Sequence, residues 1–109
     1  MIGIDIVHIP NIKKLMQNEA LIKKTFHNSE IKNFTPEHLA GIFAAKESFF
    51  KAINKKINWL EIEIKKEKNG SPSLHISKLL KNKLKIDQIQ LSISHDKDYA
   101  IAQVILITK

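Results

Sequence analysis

Two acidic side chains in apolar surroundings have the clearest potential for chemistry. Asp5 interrupts the apolar run Ile2–Ile9, and Glu47 lies in the largely apolar segment Phe43–Ala52. A carboxylate in such surroundings is costly unless it is paired, hydrogen-bonded or bound to a metal. For Asp5 two interpretations stay open at this point: a strand-end aspartate that accepts backbone N–H bonds, or a ligand in a functional site.

Lysines stand close to Glu47 in the sequence, at Lys46 and Lys51. Carboxylates with few nitrogen ligands suit a hard cation such as Mg²⁺, which keeps waters and shares phosphate oxygens, while lysines neutralise the phosphates themselves. Ordinary explanations exist as well. The Lys46 stem could lie along the core with its amine in water, and Glu47–Lys51 could be a simple i,i+4 ion pair.

Two further features complete the set. The turn Lys68–Pro72 has Asn69-Gly70 at its centre, and Ser94-His95 lies where a predicted strand meets a turn. A histidine in that place is either a hydrogen-bonding cap or a functional group. Together these residues indicate magnesium-assisted phosphoryl-type chemistry; their spacing does not choose the substrate.

The composition bounds the class of protein. A chain of 109 residues predicts one domain, and the absence of cysteine excludes disulfides, thiolate zinc sites and cysteine nucleophiles. The apolar runs are too short to cross a bilayer, and the chain begins with a strand-like pattern rather than a basic leader. These features predict a soluble cytoplasmic protein without a membrane partner.

The net charge of +7 favours an anionic partner, and all 18 basic residues are lysine. Arginine supplies the forked contacts that read bases, so its absence argues against sequence-specific DNA recognition. The sequence also contains no P-loop, no dinucleotide-binding glycine turn and no nucleophile elbow.

The elements that position these residues begin with a long helix. Thr35 is a suitable cap, Pro36 suits the first turn, and the helix is expected to end near Ile53. Its apolar residues recur at helical steps, and Lys46 falls near the middle of their stripe: Leu39, Ile42, Phe43, Phe49, Phe50 and Ile53.

The remaining elements predict an α+β fold in which the long helix packs against a small antiparallel sheet. The strands are expected at Ile2–Ile9 (buried on both faces), Trp59–Lys65, Ser73–Ile76, Leu91–His95 and Tyr99–Ile107 (central). Shorter helices are expected from Asn11 to about Asn18, after Asn28 or Ser29, and after a Ser77 cap. No linker or repeat divides the chain.

A basic, amphipathic segment runs from Lys13 to Lys24. It is either a solvated face or a surface for an acidic, partly apolar partner. The residues expected to make that contact are Lys13, Lys14, Leu15, Leu21 and Lys24.

Four motifs in register resemble a known family. Ile2–Val7, Phe43–Ala52, Asn69–Pro72 and Ser92–Val104 are together similar to holo-acyl-carrier-protein synthase, the small stand-alone type of 4′-phosphopantetheinyl transferase. The match covers essentially the whole chain. Each motif alone is weak, and the four in order are specific.

The resemblance implies transfer of phosphopantetheine from coenzyme A to a serine of an acidic apo acyl carrier protein, with release of adenosine 3′,5′-bisphosphate, in support of fatty acid biosynthesis. It implies that Asp5 and Glu47 hold Mg²⁺ and that the basic segment meets the carrier protein. It also implies a homotrimer with active sites between protomers. The residues that it assigns to coenzyme A are Lys46, Lys51, Asn54, Gly70, Ser71, Pro72, Ser94 and His95.

The acceptor of the serine proton stays open. A metal-held water relayed by Glu47 is preferred, ahead of His95. The chain also departs from the family pattern, with His8 where an acidic residue is usual, Ile42 where a basic residue is common, and Asn54–Lys56 in place of a glycine-rich turn.

Two other classes of function remain as alternatives. The first is a basic nucleic-acid-binding module without catalysis, which rests on net charge alone. The second is a catalytically silent trimeric relative that only binds coenzyme A.

Overall fold

The computed structural model describes residues 1–32 and 34–109 and has the expected α+β architecture. In chain order the elements are β1 (Ile2–His8), α1 (Ile9–Leu15), α2 (Glu19–Thr25), α3 (Asn28–Ile31), α4 (Pro36–Ile53), a 3₁₀ turn (Trp59–Glu61), β2 (Glu63–Lys66), β3 (Pro72–His75), α5 (Lys78–Lys83), β4 (Ile86–Asp96) and β5 (Tyr99–Thr108). No helix within the described residues is long and apolar enough to cross a membrane.

The strands form two antiparallel sheets. The larger has the order β1-β5-β4, with Asp5 opposite Ala102 and Ser94 opposite Ile101, and the smaller pairs β2 with β3. The prediction that Tyr99–Ile107 is central is confirmed, because β5 hydrogen-bonds to a strand on each side. The short connection to it turns at Lys97, whose φ is 52°.

The long helix α4 lies across the larger sheet and carries most of the core. Its Thr35 cap, Pro36 in the first turn and end at Ile53 confirm the sequence prediction, and Asn54 closes the helix with a left-handed φ of 57°. Leu39, Ala45 and Phe49 are fully buried. Burying side chains of this size removes enough apolar surface from water to dominate the folding energy.

Strand β1 packs closely on α4 because residue 3 is glycine. A Cβ added at Gly3 would lie 1.8 Å from the carbonyl oxygen of Ser48 and 2.8 Å from the amide nitrogen of Ala52. The Ser48 hydroxyl is buried 3.0 Å from the carbonyl oxygen of Ala102 on β5. The register between the first strand and the helix is therefore fixed by backbone contact.

The prediction that β1 is buried on both faces is wrong. Gly3 and Val7 face the helix, whereas Ile2, Ile4 and Ile6 are between 53% and 63% exposed on the other side of the sheet. The apolar character of this strand thus marks a face without a partner in the single chain.

Several element boundaries also differ from the sequence prediction, most clearly in three places. Asn11 does not cap a helix, because α1 already begins at Ile9, and a second helix follows with Asn18 as its cap. Residues 59–61 form a 3₁₀ turn rather than the start of a strand, because the Asn58 side chain accepts a hydrogen bond from the Leu60 N–H. Strand β4 starts at Ile86 rather than Leu91.

We predict that Gly3→Ala destabilises the fold by about 2–3 kcal/mol, the upper range for overpacking, because a helix carbonyl cannot move aside as a side chain can. Thermal unfolding followed by circular dichroism measures the change. Gly41→Ala is the matched control, since its added Cβ would meet only the movable side chains of His95 and Ile93, at 3.1 Å. Equal losses in the two variants would contradict the prediction.

Candidate functional site

Asp5 and Glu47 line the same small cavity. It measures about 310 Å³ and lies between β1, the start of α1 and the middle of α4. The side chains of Asp5 and Glu47 are 15% and 22% exposed, so both are partly shielded but reachable. The first strand and the long helix therefore bring the two predicted carboxylates to one place.

Each carboxylate in this cavity already holds a cationic partner. Lys51 Nζ lies 3.1 Å from Asp5 Oδ1 and 3.0 Å from the carbonyl oxygen of Ile4, and Lys56 Nζ lies 3.5 Å from Glu47 Oε1. The simple Glu47–Lys51 pair is thus not formed, because Lys51 turns toward β1. A cation bound between the two carboxylates would therefore compete with these lysines for them.

The donor set of this cavity suits magnesium more than a transition metal. Within residues 1–32 and 34–109, no group of three or more His, Cys, Asp or Glu side chains is arranged to hold a metal ion. Mg²⁺ commonly takes one or two protein carboxylates and completes its shell with waters and substrate phosphates. Asp5 and Glu47 fit that requirement, with His8 also at the cavity wall.

Lys46, predicted to contact coenzyme phosphate, lies outside this cavity, and its ammonium is held in the core of the single chain. Its side chain is completely buried, and Nζ donates to Glu30 Oε1 at 2.8 Å, to the carbonyl oxygen of Thr25 at 2.8 Å and to that of Trp59 at 3.3 Å. Burial lowers the pKa of the Lys46 ammonium, while the hydrogen bond from it to Glu30 acts in the opposite direction. Three protein acceptors leave no N–H for a ligand.

A second, larger cavity of about 600 Å³ opens beside the first half of α4. We call it the cleft. Three of the predicted coenzyme-binding residues line it: Gly70 from the turn before β3, Pro72 at the start of β3, and His95 near the end of β4. The lining residues that the sequence did not suggest include Ser29, His38, Glu63, Lys65, Lys66 and Ile93.

His95 is held against the first turn of α4. Its Nε2 lies 2.9 Å from the carbonyl oxygen of Glu37, which can only accept, so Nε2 donates. Gly41 makes this contact possible, because a Cβ there would lie 3.1 Å from His95 Nε2. The structure therefore combines the two interpretations of this histidine: it is hydrogen-bonded to the helix and also lines the cleft.

The other predicted coenzyme-binding residues lie near the cleft or away from it. Ser71 folds the turn, donating its N–H and hydroxyl to Asn69 Oδ1 at 3.0 and 2.6 Å. Ser94 is exposed and pairs with Ile101 in the sheet, and Asn54 closes the far end of α4. None of the three lines the cleft of the single chain.

The wall of the cleft carries one carboxylate with a perturbed pKa. The hydrogen bond donated by the Ser29 hydroxyl holds the pKa of Glu63 below its usual value, opposed by partial desolvation. Glu63 is therefore charged at neutral pH. No sequence motif marked this pair, because its members are far apart in the chain.

The basic segment borders the carboxylate cavity. Lys13, Lys14, Leu21 and Lys24 are exposed, and Leu15 is half-buried and lines the cavity itself. The segment consists of two helices, α1 and α2, rather than one. A partner that docks on α1 would therefore reach the edge of the cavity that holds Asp5 and Glu47.

The two cavities lie on different sides of α4. His38, Gly41 and Ile42 line the cleft, whereas Phe43 and Glu47 line the carboxylate cavity. At about 3.6 residues per turn, His38 and Glu47 point about 180° apart. A substrate held by both cavities would therefore have to span the helix in one chain or bridge two chains.

The chain is similar in sequence to a known family along nearly its whole length. Residues 1–104 match the 4′-phosphopantetheinyl transferase superfamily (ACPS). A holo-[acyl-carrier-protein] synthase of Nautilia profundicola is 42% identical over 98% of this chain and 99% of its own length, and one of Campylobacter hominis is 38% identical over 97% and 96%.

Solved structures agree with the sequence relatives. The holo-[acyl-carrier-protein] synthase of Helicobacter pylori in complex with coenzyme A has a TM-score of 0.92 at 34% identity, covering 98% of this chain and 100% of that one. The Bacillus anthracis synthase, in complex with CoA (3′,5′-ADP), has a TM-score of 0.84 at 31% identity over 99% of this chain and 96% of that one. The chain therefore belongs to the holo-[acyl-carrier-protein] synthase family of 4′-phosphopantetheinyl transferases.

Proposed function

We propose that this enzyme transfers 4′-phosphopantetheine from coenzyme A to a serine hydroxyl of an acidic apo acyl carrier protein. The serine oxygen forms a new bond to the phosphorus that carries pantetheine, and the bond to adenosine 3′,5′-bisphosphate breaks. The observation that carries the proposal is the pair Asp5 and Glu47 at one cavity, beside the basic helix α1. The holo carrier then serves fatty acid biosynthesis.

Asp5 and Glu47 are the residues proposed to hold Mg²⁺. The metal, when bound, supplies charge neutralisation for the pyrophosphate, which is the main requirement of phosphoryl transfer. Lys51, which is 55% exposed beside Asp5, can turn its ammonium toward a phosphate oxygen. The attacking serine is proposed to enter the cavity that Glu47 lines. Glu47 is proposed to receive or relay the proton of the serine hydroxyl.

The cleft is proposed as the seat of coenzyme A. Gly70 and Pro72 offer backbone and ring surface, Lys65 and Lys66 offer positive charge, and His95 closes the cleft against α4. The position of His95 supports a role in seating the coenzyme rather than in taking the serine proton, because its Nε2 donates to the Glu37 carbonyl and so is not a free proton acceptor.

A homotrimer with shared sites is proposed from two observations. Asp5 and Glu47 lie on the opposite side of α4 from the cleft. One coenzyme A molecule would therefore most easily contact the cleft of one protomer and the two carboxylates of another. The outer face of the larger sheet also exposes an apolar patch that a second copy can cover, formed by Ile2, Ile4, Ile6, Tyr99, Ile101, Ile105 and Ile107.

We expect Asp5→Ala or Glu47→Ala to lower carrier modification at least about 100-fold, the usual cost of removing a group that stabilises transition-state charge. The fold should survive, because both side chains lie at a surface cavity. Mass spectrometry of apo carrier protein incubated with coenzyme A and Mg²⁺ measures transfer. Asp87→Ala, exposed on β4, is the control that keeps activity.

Near-normal turnover of either variant with Mg²⁺ present would refute the metal assignment. The same assay separates the other functional classes. A nucleic-acid-binding module or a silent coenzyme-binding relative would leave the mass of the carrier protein unchanged, even for the wild-type chain.

We expect Ile4→Lys, at a side chain that does not line the carboxylate cavity, to leave a folded, smaller species with little transfer activity, because a charge on the exposed sheet face opposes burial against a second copy. Light scattering after size-exclusion chromatography measures the mass. Leu79→Lys, at a side chain 81% exposed on α5, is the matched control and should keep both mass and activity. An active monomer of Ile4→Lys would overturn the shared site.

Co-expression of Glu47→Ala chains with His95→Ala chains tests the shared site directly. If each site takes its carboxylates from one protomer and its cleft from another, about a quarter of the sites in randomly mixed trimers regain both intact halves. Activity in the mixture well above that of either variant alone supports the proposal. No gain would show that each chain supplies a complete site.

We expect the double variant Lys14→Glu/Lys24→Glu to raise KM for the carrier protein about tenfold and to weaken its dependence on ionic strength, because these exposed charges attract an acidic partner. KM for coenzyme A should stay unchanged. Lys83→Glu/Lys85→Glu, with the same change of charge near α5, is the control. An equal effect in both doubles would indicate net charge rather than a docking surface.

A further inference from the structure

The pair Lys46–Glu30 is a charged group that the proposed chemistry does not use. Both side chains are fully shielded, with Nζ and Oε1 2.8 Å apart. Desolvating two charges is expensive, and a pair of this kind adds little net stability compared with well-packed apolar residues. Net stability is therefore a weak explanation for its presence in the core.

Glu30 joins separate parts of the chain through its two carboxylate oxygens. Oε1 accepts from the His27 N–H at 2.7 Å and from Lys46 Nζ, and Oε2 accepts from the Ile64 N–H at 2.7 Å. The three donors belong to the residue before α3, to α4 and to β2. Each of these contacts is a charge-assisted hydrogen bond, the stronger kind.

Lys46 adds two more connections to the same junction. It donates to the carbonyl oxygen of Thr25, the last residue of α2, and to that of Trp59, in the 3₁₀ turn before β2. The start of β2 is thus held from two directions. Lys46 binds the segment that precedes it, and Glu30 binds its second residue, Ile64.

The segments that meet at this junction form the wall of the cleft. Ser29 and Glu30 from α3 line it, followed by Glu63, Ile64, Lys65 and Lys66 from β2. Opposite them stand His38, Gly41 and Ile42 of α4. The Ser29 hydroxyl also donates to the Glu63 carboxylate, so α3 and β2 are tied a second time at the cleft surface.

We propose that Glu30 and Lys46 are positioning residues for coenzyme A: they hold α3 and β2 at a fixed distance from α4 and so set the width of the cleft. Neither group is placed to bind the coenzyme phosphates, since both side chains are fully shielded and the Lys46 ammonium donates to three protein oxygens. The proposal rests on coenzyme A occupying the cleft, as proposed above.

The near-isosteric change Glu30→Gln is the sharpest test. A carboxamide has one acceptor oxygen and one NH₂ group, which only donates. In one orientation the NH₂ faces the Ile64 N–H, and in the other it faces the His27 N–H and the Lys46 ammonium. In either orientation two donors face each other and a hydrogen bond is lost. The wall then loses an anchor without a change of volume. We expect KM for coenzyme A to rise about tenfold, which corresponds to about 1.4 kcal/mol.

The same variant separates positioning from general stability. At a temperature where circular dichroism shows it fully folded, kcat and KM for the carrier protein should remain within about twofold of the wild type. Glu61→Gln, with the same chemistry at an exposed side chain of the 3₁₀ turn, is the matched control and should change none of these values. An unchanged KM for coenzyme A in folded Glu30→Gln would overturn the proposal.

A measurement on the wild-type protein covers the case in which Glu30→Gln fails to fold. A ligand that binds only when the wall is in place must suppress its opening. Saturating coenzyme A should therefore slow hydrogen exchange of the His27 and Ile64 amides about tenfold or more. Unchanged exchange at both amides would overturn the proposal, whereas absence of carrier modification by the wild type would instead refute the proposed function.

Discussion

The approach of strand β1 to helix α4 is the constraint on which the site depends. Asp5 and Glu47 come from elements that are distant in sequence, and each is useful only near the other. Gly3 brings the strand backbone against the helix backbone at Ser48, where no side chain could fit. Because this contact is between main chains, it fixes the separation of the two elements more firmly than a contact between flexible side chains would.

The two faces of the same strand have different surroundings in the single chain. Its inner face is occupied by the helix, and its outer face presents isoleucines to solvent. Self-association would cover those side chains and bring a neighbouring cleft toward the carboxylates. One short strand would then contribute to metal binding through its inner face and to assembly through its outer face, by the alternation of side chains along a strand.

Much of the architecture could be predicted from the sequence, because the signals were local. The helix α4 carried a cap, a proline in the first turn and a regular apolar period, and the turns carried Asn-Gly or charged residues. The misplaced boundaries have local physical causes that the pattern alone did not decide. The helix α1 begins without a side-chain cap at His8, and the Asn58 side chain converts the expected start of β2 into a 3₁₀ turn.

The cleft was less predictable, since its wall is assembled by long-range contacts. Gly70, Pro72 and His95 were found through their turns, but Ser29 and Glu63 meet across the fold and share no motif. The unpartnered face of β1 was missed for a related reason. An apolar run looks the same in sequence whether its second face is covered by the same chain or is left for another copy.

The two lysines of α4 show how position on a helix determines the role of a charge. Lys46 and Lys51 are five residues apart and so lie about 140° apart around the helix axis. Lys46 points into the core, where its ammonium is tolerated because Glu30 and two carbonyl oxygens accept its hydrogens. Lys51 points to the edge of β1, where about half of its side-chain surface stays in water beside Asp5. Burial lowers the pKa of Lys46 and removes its hydrogens from any ligand. Only the exposed ammonium remains free to exchange Asp5 for another anion, so the different surroundings of the two lysines follow from the helical period itself.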